Sequence, residues 1–172
     1  MADAVLQCRG GAMIQPLGHH LAEFNFGTLR YDWDDPRLGD FVAGLDLVNG
    51  IAAASPGFVW RMDDEAMGVA QAATGNLRLA ATRSAWQDAA SLEHFVWATL
   101  HRQFYGRKAD WYDGAGNGNL VLWWVPHGHR PGFAEGVARW TLWQGQGDGD
   151  QAFGWAHLAQ ARLWRERACA GT

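Results

Sequence analysis

Two histidines near the middle of the chain are the first candidates for chemistry. His94 and His101 lie in the segment SLEHFVWATLHRQFY, where apolar spacing predicts one helix from a cap at Asp88 to about Tyr105. Two helical turns separate the pair by roughly 10 Å, so they cannot bind one metal ion together. Histidine titrates near neutral pH, so His101 is predicted to be a general acid or base, and His94 a substrate-binding residue. The alternative is that both histidines face solvent or an edge of the core.

Two carboxamides are the next candidates. Asn25 interrupts a predicted strand, and Asn49 lies on the apolar stripe of a predicted helix, seven residues after Val42. A buried amide without partners costs about 1–3 kcal/mol, so each is predicted to be bonded to the protein or to a ligand. Asn25 is predicted to hold a substrate oxygen or a developing oxyanion, and Asn49 to contact substrate. A purely structural role is the alternative for both.

Tryptophan is unusually frequent, with 11 copies in 172 residues. Trp60, Trp86 and Trp124 lie on or at the ends of predicted strands, and they are predicted to line a pocket for a flat polycyclic or quinone-like substrate. Alternation places Trp123 on the sheet face opposite Trp124. Simple core packing is the alternative.

Charged side chains also fall on the predicted strands. Arg61 and Arg83 are expected either to be exposed or to pair with Glu23 and the acidic cluster Asp63–Glu65. The cluster itself is predicted to lie in a solvated loop.

Several motifs are absent from the sequence. There is no Gly-x-Gly-x-x-Gly, no P-loop, no Gly-x-Ser-x-Gly and no Cys-x-x-Cys, which argues against nucleotide cofactors and serine-hydrolase chemistry. The His127-Gly128-His129 turn has no third ligand nearby, and Cys8 and Cys169 lie near opposite ends of the chain. No metal site is therefore predicted.

Length and charge narrow the class of protein. A chain of 172 residues predicts one domain, and its formal net charge of −4 argues against nucleic-acid binding. The longest strictly apolar run, Leu120–Val125, is far too short to cross a membrane. The first residues lack the pattern of a signal peptide, so a cytoplasmic location is predicted.

The elements that must position these residues follow the order β-α-β-β-α-β, which predicts an α+β, ferredoxin-like sandwich. Residues 1–20 are predicted to be a leader, 21–155 the domain and 156–172 a helical extension. The predicted strands are Leu21–Leu29, Phe58–Met62, Leu77–Trp86 and Asn119–Val125. The predicted helices begin at Asp35-Pro36, Asp88, Phe133 and His157, and Asp63–Gly75 is predicted to be a loop.

The fourth strand predicts a partner. Leu120–Val125 is apolar on both faces, so both faces of the sheet need a cover. Two helices cover one face, and a second copy of the sheet is the simplest cover for the other. A homodimer packed sheet to sheet is therefore predicted.

The sequence also resembles a bacterial family of unknown function in the dimeric α/β-barrel superfamily. The segments that carry the resemblance span Leu21 to Trp155; they are LAEFNFGTLR, DDPRLGDFVAGLDLVN, SPGFVWRM, SAW, LHR, LVLWWVPHGHRP and the pair Ala152-Phe153. His101 falls in one of them, whereas Asp63–Gly75 and His127 depart from the family pattern. The resemblance implies the fold and the dimer, and a superfamily that includes cofactor-free and haem-dependent enzymes.

These expectations combine into a small-molecule enzyme without a cofactor. It is predicted to act on an aromatic or polyketide-like metabolite by oxidation, or by proton-transfer isomerisation or cyclisation, with His101 as acid or base. One alternative is a haem enzyme of the same fold with a histidine axial ligand. A second is a non-catalytic dimer that binds a small ligand.

Overall fold

The computed structural model describes residues 14–99, 101–114 and 119–158, and an antiparallel sheet lies at its centre. The strands are β1 (His19–Thr28), β2 (Phe58–Arg61), β3 (Leu79–Trp86) and β4 (Leu120–Pro126), in the order β2-β3-β1-β4. The four predicted strands are confirmed to within two residues at each end. β1 begins at His19, inside the segment predicted to be a leader.

Six α-helices surround this sheet in the described residues. They are α1 (Gly39–Ala54), α2 (Asp64–Thr74), α3 (Ala89–Ala98), α4 (His101–Gly106), α5 (Lys108–Trp111) and α6 (Phe133–Gln146). Short 3₁₀ helices span Pro36–Leu38 and Trp155–His157. The α+β class is confirmed. The predicted terminal helix at His157–Arg167 and the first 13 residues lie largely or wholly outside the described residues.

The prediction of a loop at Asp63–Gly75 is wrong, because α2 occupies it. The Asp63 carboxylate accepts a hydrogen bond from the Ala66 backbone N–H at 3.0 Å and caps the helix. Gly75 ends it with φ of +66°, in the left-handed region that glycine enters without strain. The acidic residues thus form the first turn of a helix, where their charge favours the positive end of the helix dipole.

The prediction of one helix from Asp88 to Tyr105 is also wrong. Asp88 caps α3 as expected, with its carboxylate 2.8 Å from the Ser91 backbone nitrogen. Thr99 then ends α3 with an extended backbone, φ −110° and ψ −177°, and its hydroxyl donates to the Phe95 carbonyl at 2.5 Å. The same oxygen accepts from the His101 backbone N–H at 3.2 Å, at the start of α4. His94 and His101 consequently lie on different helices.

The first face of the sheet is the one that α1 and α3 cover. It carries Leu21, Glu23 and Asn25 of β1, and the residues of the helices that pack toward it include Ala52 and Leu92. The segment after α6 returns to this face at Phe153, whose backbone exchanges two 2.9 Å hydrogen bonds with Leu122.

The second face is covered by the chain's own helices α2 and α6. Ala22 and Phe24 of β1 pack there with Ala70 of α2 and with Trp140 and Trp143 of α6. The bare face from which a sheet-to-sheet dimer was inferred is therefore filled within one chain. Trp123 lies on this face and Trp124 on the first, as the strand alternation predicts.

Close packing of α6 onto β1 requires a glycine. A Cβ atom at Gly136 would lie 2.7 Å from the ring carbon Cγ of Phe24, which is fully buried. None of the described helices has the length and apolar character of a membrane span.

Gly136→Ala is expected to lower the free energy of unfolding by about 1–3 kcal/mol, because the Phe24 ring has no room to move away. Gly145→Ala on the same helix is the control, since a Cβ there meets nothing within 4 Å. That variant is expected to be neutral or slightly stabilising. Urea unfolding measures both, and equal effects of the two substitutions would contradict the packing described.

Candidate functional site

A polar gap separates two apolar clusters on the first face of the sheet. One cluster contains Leu21, Trp86, Phe95, Leu122 and Phe153, and the other contains Leu29, Phe41, Ala80 and Trp111. Between them, β1 contributes Glu23 and Asn25, and β3 contributes Thr82 and Ser84. These four residues form the floor of what we call the polar gap.

The floor of the polar gap is open to solvent. Asn25 and Thr82 are cross-strand partners on β1 and β3, the two inner strands of the sheet. Inner strands under helices are normally buried, yet both residues are exposed. A small molecule can therefore reach the middle of the sheet from this side.

Glu23 lies beside this opening with its carboxyl group turned into the protein. The residue is only 9% exposed. Its Oε1 accepts hydrogen bonds from the Ser84 hydroxyl at 3.1 Å and the Thr82 hydroxyl at 3.3 Å. Trp86 donates its indole N–H to the Ser84 oxygen at 2.8 Å, which leaves the Ser84 proton to point at Glu23. The enclosed Oε2 has no hydrogen-bond partner in the described part of the chain.

Burial raises the pKa of Glu23 from 4.5 to about 7, although the hydrogen bonds from Ser84 and Thr82 oppose the shift. Arg61, Glu93 and His101 also lie on this side of the sheet, on β2, α3 and α4. Arg61 donates to the Met62 carbonyl at 2.7 Å. A carboxyl group with such a pKa is close to half ionised at neutral pH, as a general acid or base requires.

Asn49 lies above the polar gap, on α1. Leu45 on the same helix packs against one apolar cluster, and Val48 and Ala52 belong to the other. Asn49 falls between them and is half-buried. Its carboxamide makes no hydrogen bond to any residue that the structure describes, so its donors and acceptor remain available to a ligand. Asn49 thus belongs to the helix layer that covers the sheet face carrying Asn25.

His101 lies at the edge of the adjoining apolar cluster. Its ring centre is 4.7 Å from that of Phe95, and Phe95 stacks on Trp86 at 5.0 Å. Burial lowers the pKa of His101, with a weak opposing contact of 3.5 Å from Nδ1 to the Val96 carbonyl. The imidazole is therefore neutral at pH 7. The Phe95 ring stands between it and the Trp86 ring that bonds Ser84.

The remaining predicted residues are scattered. Trp86 is fully buried beside the polar gap, and Trp124 packs against Phe153 on the same face. Trp60 pairs with Ala85 and lies on the second face. His94 is exposed on α3.

Glu23 is the candidate residue that the sequence reasoning missed. A glutamate that alternates with Ala22 and Phe24 looks like the solvent side of a strand. The signal in the sequence was a pair of hydroxyl residues two positions apart on one strand, Thr82 and Ser84. The register brings Ser84 opposite Glu23 and Thr82 opposite Asn25. Arg83 was also misjudged, because it is buried and lies on the opposite face from Glu23.

No group of three or more potential metal-binding side chains occurs in the described residues. His127 of the His-x-His turn stacks on His20, with ring centres 4.1 Å apart, and His129 bonds Glu135 at 2.7 Å. The two histidines of the turn thus have separate packing partners.

Comparison with known proteins identifies the family. A model of a domain of unknown function, DUF3291, matches residues 20–169. The chain belongs to the DUF3291 family. No curated protein and no solved structure matches it. The family match begins at β1 and reaches past Trp155, so the DUF3291 domain takes in the polar gap and both layers of helices.

Glu23→Gln is expected to flatten the pH dependence of stability in this DUF3291 protein. The folded state holds the Glu23 proton up to about pH 7, whereas the unfolded chain releases it near 4.5. Stability from this group is therefore present below pH 4.5 and is lost as pH rises toward 7, by about 3 kcal/mol. Urea unfolding of both proteins over this range measures the difference, and parallel pH profiles would refute a buried, proton-retaining Glu23.

Proposed function

We propose that the protein is a cofactor-free enzyme that moves a proton within a small carbonyl compound. The observation that carries the proposal is the buried Glu23 carboxyl group, which lies beside the exposed residues Asn25 and Thr82. Hydroxyl partners hold its Oε1, and its enclosed Oε2 forms no hydrogen bond within the described residues. Its pKa of about 7 suits both taking and returning a proton at neutral pH.

The reaction follows from the groups in the polar gap. Ionised Glu23 takes a proton from the carbon next to the substrate carbonyl, and the electron pair of the broken C–H bond forms an enolate. The Asn25 amide donates a hydrogen bond to the enolate oxygen. In a substrate with a β,γ double bond, protonated Glu23 then returns the proton to the γ-carbon, and the double bond moves to the α,β position as the carbonyl re-forms. The sum is an isomerisation, in which no electron, oxygen or cofactor is exchanged.

The polar gap also favours a class of substrate. Its floor and roof present carboxamides, and its ends are closed by apolar and aromatic side chains. A flat ring system with one carbonyl would place its oxygen at Asn25 and its rings against the apolar ends. Aromatic and polyketide-like metabolites fit this description. His101 stays a predicted second acid or base, at the far side of the Trp86–Phe95 stack.

The fold proposal is the ferredoxin-like arrangement of the dimeric α/β-barrel superfamily. The strand order β2-β3-β1-β4 and the placement of α1 and α3 on one face support it. A homodimer and a cytoplasmic location stay predictions. Because α2 and α6 occupy the second face, two copies would meet through these helices or a sheet edge.

Deuterium exchange at carbon tests the reaction. Wild-type protein in D₂O is expected to speed the loss of the α-proton NMR signal of β-tetralone, a flat bicyclic ketone. Glu23→Gln is expected to slow the catalysed exchange by about 10²–10⁴-fold, because its amide cannot accept the proton. Asn25→Ala is expected to give a smaller loss, and the exposed His94→Ala should behave like wild type.

The pH profile separates the two candidate bases. If Glu23 is the base, exchange rises with pH through about 7 and His101→Ala keeps that profile. A profile abolished by His101→Ala but kept by Glu23→Gln would assign the reaction to His101. If wild-type protein does not speed the exchange of α-protons in any bicyclic ketone, the proposal is overturned.

A hemin titration tests the haem alternative. The proposal predicts no saturable Soret band, since the reaction uses no haem. A band that saturates in wild type and disappears in His101→Ala would instead favour a haem enzyme. His94→Ala is the control, because that histidine is exposed and should leave either spectrum unchanged.

A further inference from the structure

A buried guanidinium lies on the second face of the sheet, opposite the polar gap. Arg83 of β3 is 5% exposed, and its Nε and Nη1 atoms are enclosed without a hydrogen-bond partner in the described residues. Its backbone carbonyl accepts from the Met62 N–H at 2.9 Å, just before α2 begins. The side chain is also close enough to Asp63, the cap of α2, for that carboxylate to act on its charge.

The start of α6 lies on the other side of the same guanidinium. The central carbon of the Arg83 guanidinium is 5.8 Å from the centre of the Phe133 ring, the first residue of α6. Gly132 caps that helix without a side-chain hydrogen bond, so the first N–H groups of α6 receive none from a capping side chain. A positive helix end and a buried cation thus occupy the same corner of the second face.

The charge of Arg83 is only partly balanced. Burial lowers its pKa and the nearby Asp63 raises it, but arginine remains charged at any physiological pH. Asp63 is exposed, and its carboxylate caps α2 through Ala66. It forms no ion pair with Arg83 within 4 Å in the described chain. A buried cation whose donors have no partner is strongly destabilising, so a partner of opposite charge is favoured.

We propose that Arg83 is the anchor of an oxyanion-binding site for a carboxylate or phosphate group of a small molecule. The group enters between the starts of α2 and α6 and accepts hydrogen bonds from the guanidinium. Phe24 and Phe133 give the site apolar walls, which suit an aromatic or aliphatic acid. The site lies on the opposite face of the sheet from Glu23, so a test of anion binding does not depend on the proposed reaction.

Thermal unfolding with added anions tests the site. Wild-type protein is melted with sodium benzoate, with inorganic phosphate and with chloride, at equal ionic strength and pH. A saturable rise in Tm of about 5–10 °C is expected at a hundredfold excess over Kd. A rise with benzoate alone identifies a carboxylate site, and a rise with phosphate alone identifies a phosphate site. No rise beyond chloride with either anion overturns the proposal.

Variants show whether the effect belongs to Arg83. Arg83→Met is expected to abolish the anion-dependent rise, and Arg83→Lys to weaken it, because the charge remains but the planar donor set is lost. Arg102→Met on α4 is the control, since Arg102 is exposed and lies on the other side of the sheet. If Arg83→Met does not fold, isothermal titration calorimetry with benzoate and phosphate compares the Kd of Arg83→Lys with that of wild type. A rise or Kd that neither Arg83 variant changes would overturn the assignment.

Discussion

The burial of one carboxyl group between two strands is the constraint on which the first face depends. Glu23 cannot reach solvent freely, so β3 supplies Ser84 and Thr82 to hold one of its oxygens. Trp86 in turn fixes the Ser84 hydroxyl, which links a fully buried tryptophan of the adjoining cluster to the same group. Hydrogen bonds and packing thus converge on a single side chain, and a half-satisfied carboxyl of this kind costs stability that a purely apolar core would retain.

The apolar clusters at the two ends of the sheet offset the stability lost by burying the Glu23 carboxyl group. Each cluster is closed by aromatic side chains, including Trp86 with Phe95 at one end and Phe41 with Trp111 at the other. The two clusters lie on either side of the polar gap, and Asn25 stays exposed between them. The opening therefore coincides with the stretch of β1 and β3 that carries no bulky apolar residue on this face.

Strand alternation and turn residues predicted the four strands and the α+β class, because these signals are local. α2 was missed although Asp63 and Gly75 are a proper cap and stop, since its apolar stripe is weak and alanine-rich. The break at Thr99 is a change of backbone conformation at one residue whose hydroxyl bonds both helices, and apolar periodicity does not register either feature. The burial and hydrogen bonds of Glu23 depend on which β3 residues pair with β1, and this register is known only from the fold. The two asparagines were predicted as site residues because an amide among apolar residues stands out in the sequence, and their roles stay predictions.

Strand β3 places Arg83 and Ser84 side by side in sequence and on opposite faces of the sheet. A slip of one residue against β1 would bring Arg83 directly across from Glu23, where the two charges would neutralise each other. The native alignment instead keeps a carboxyl and a guanidinium apart by the thickness of the backbone. Correct strand pairing during folding therefore keeps the carboxyl group and the guanidinium in separate layers of one small domain.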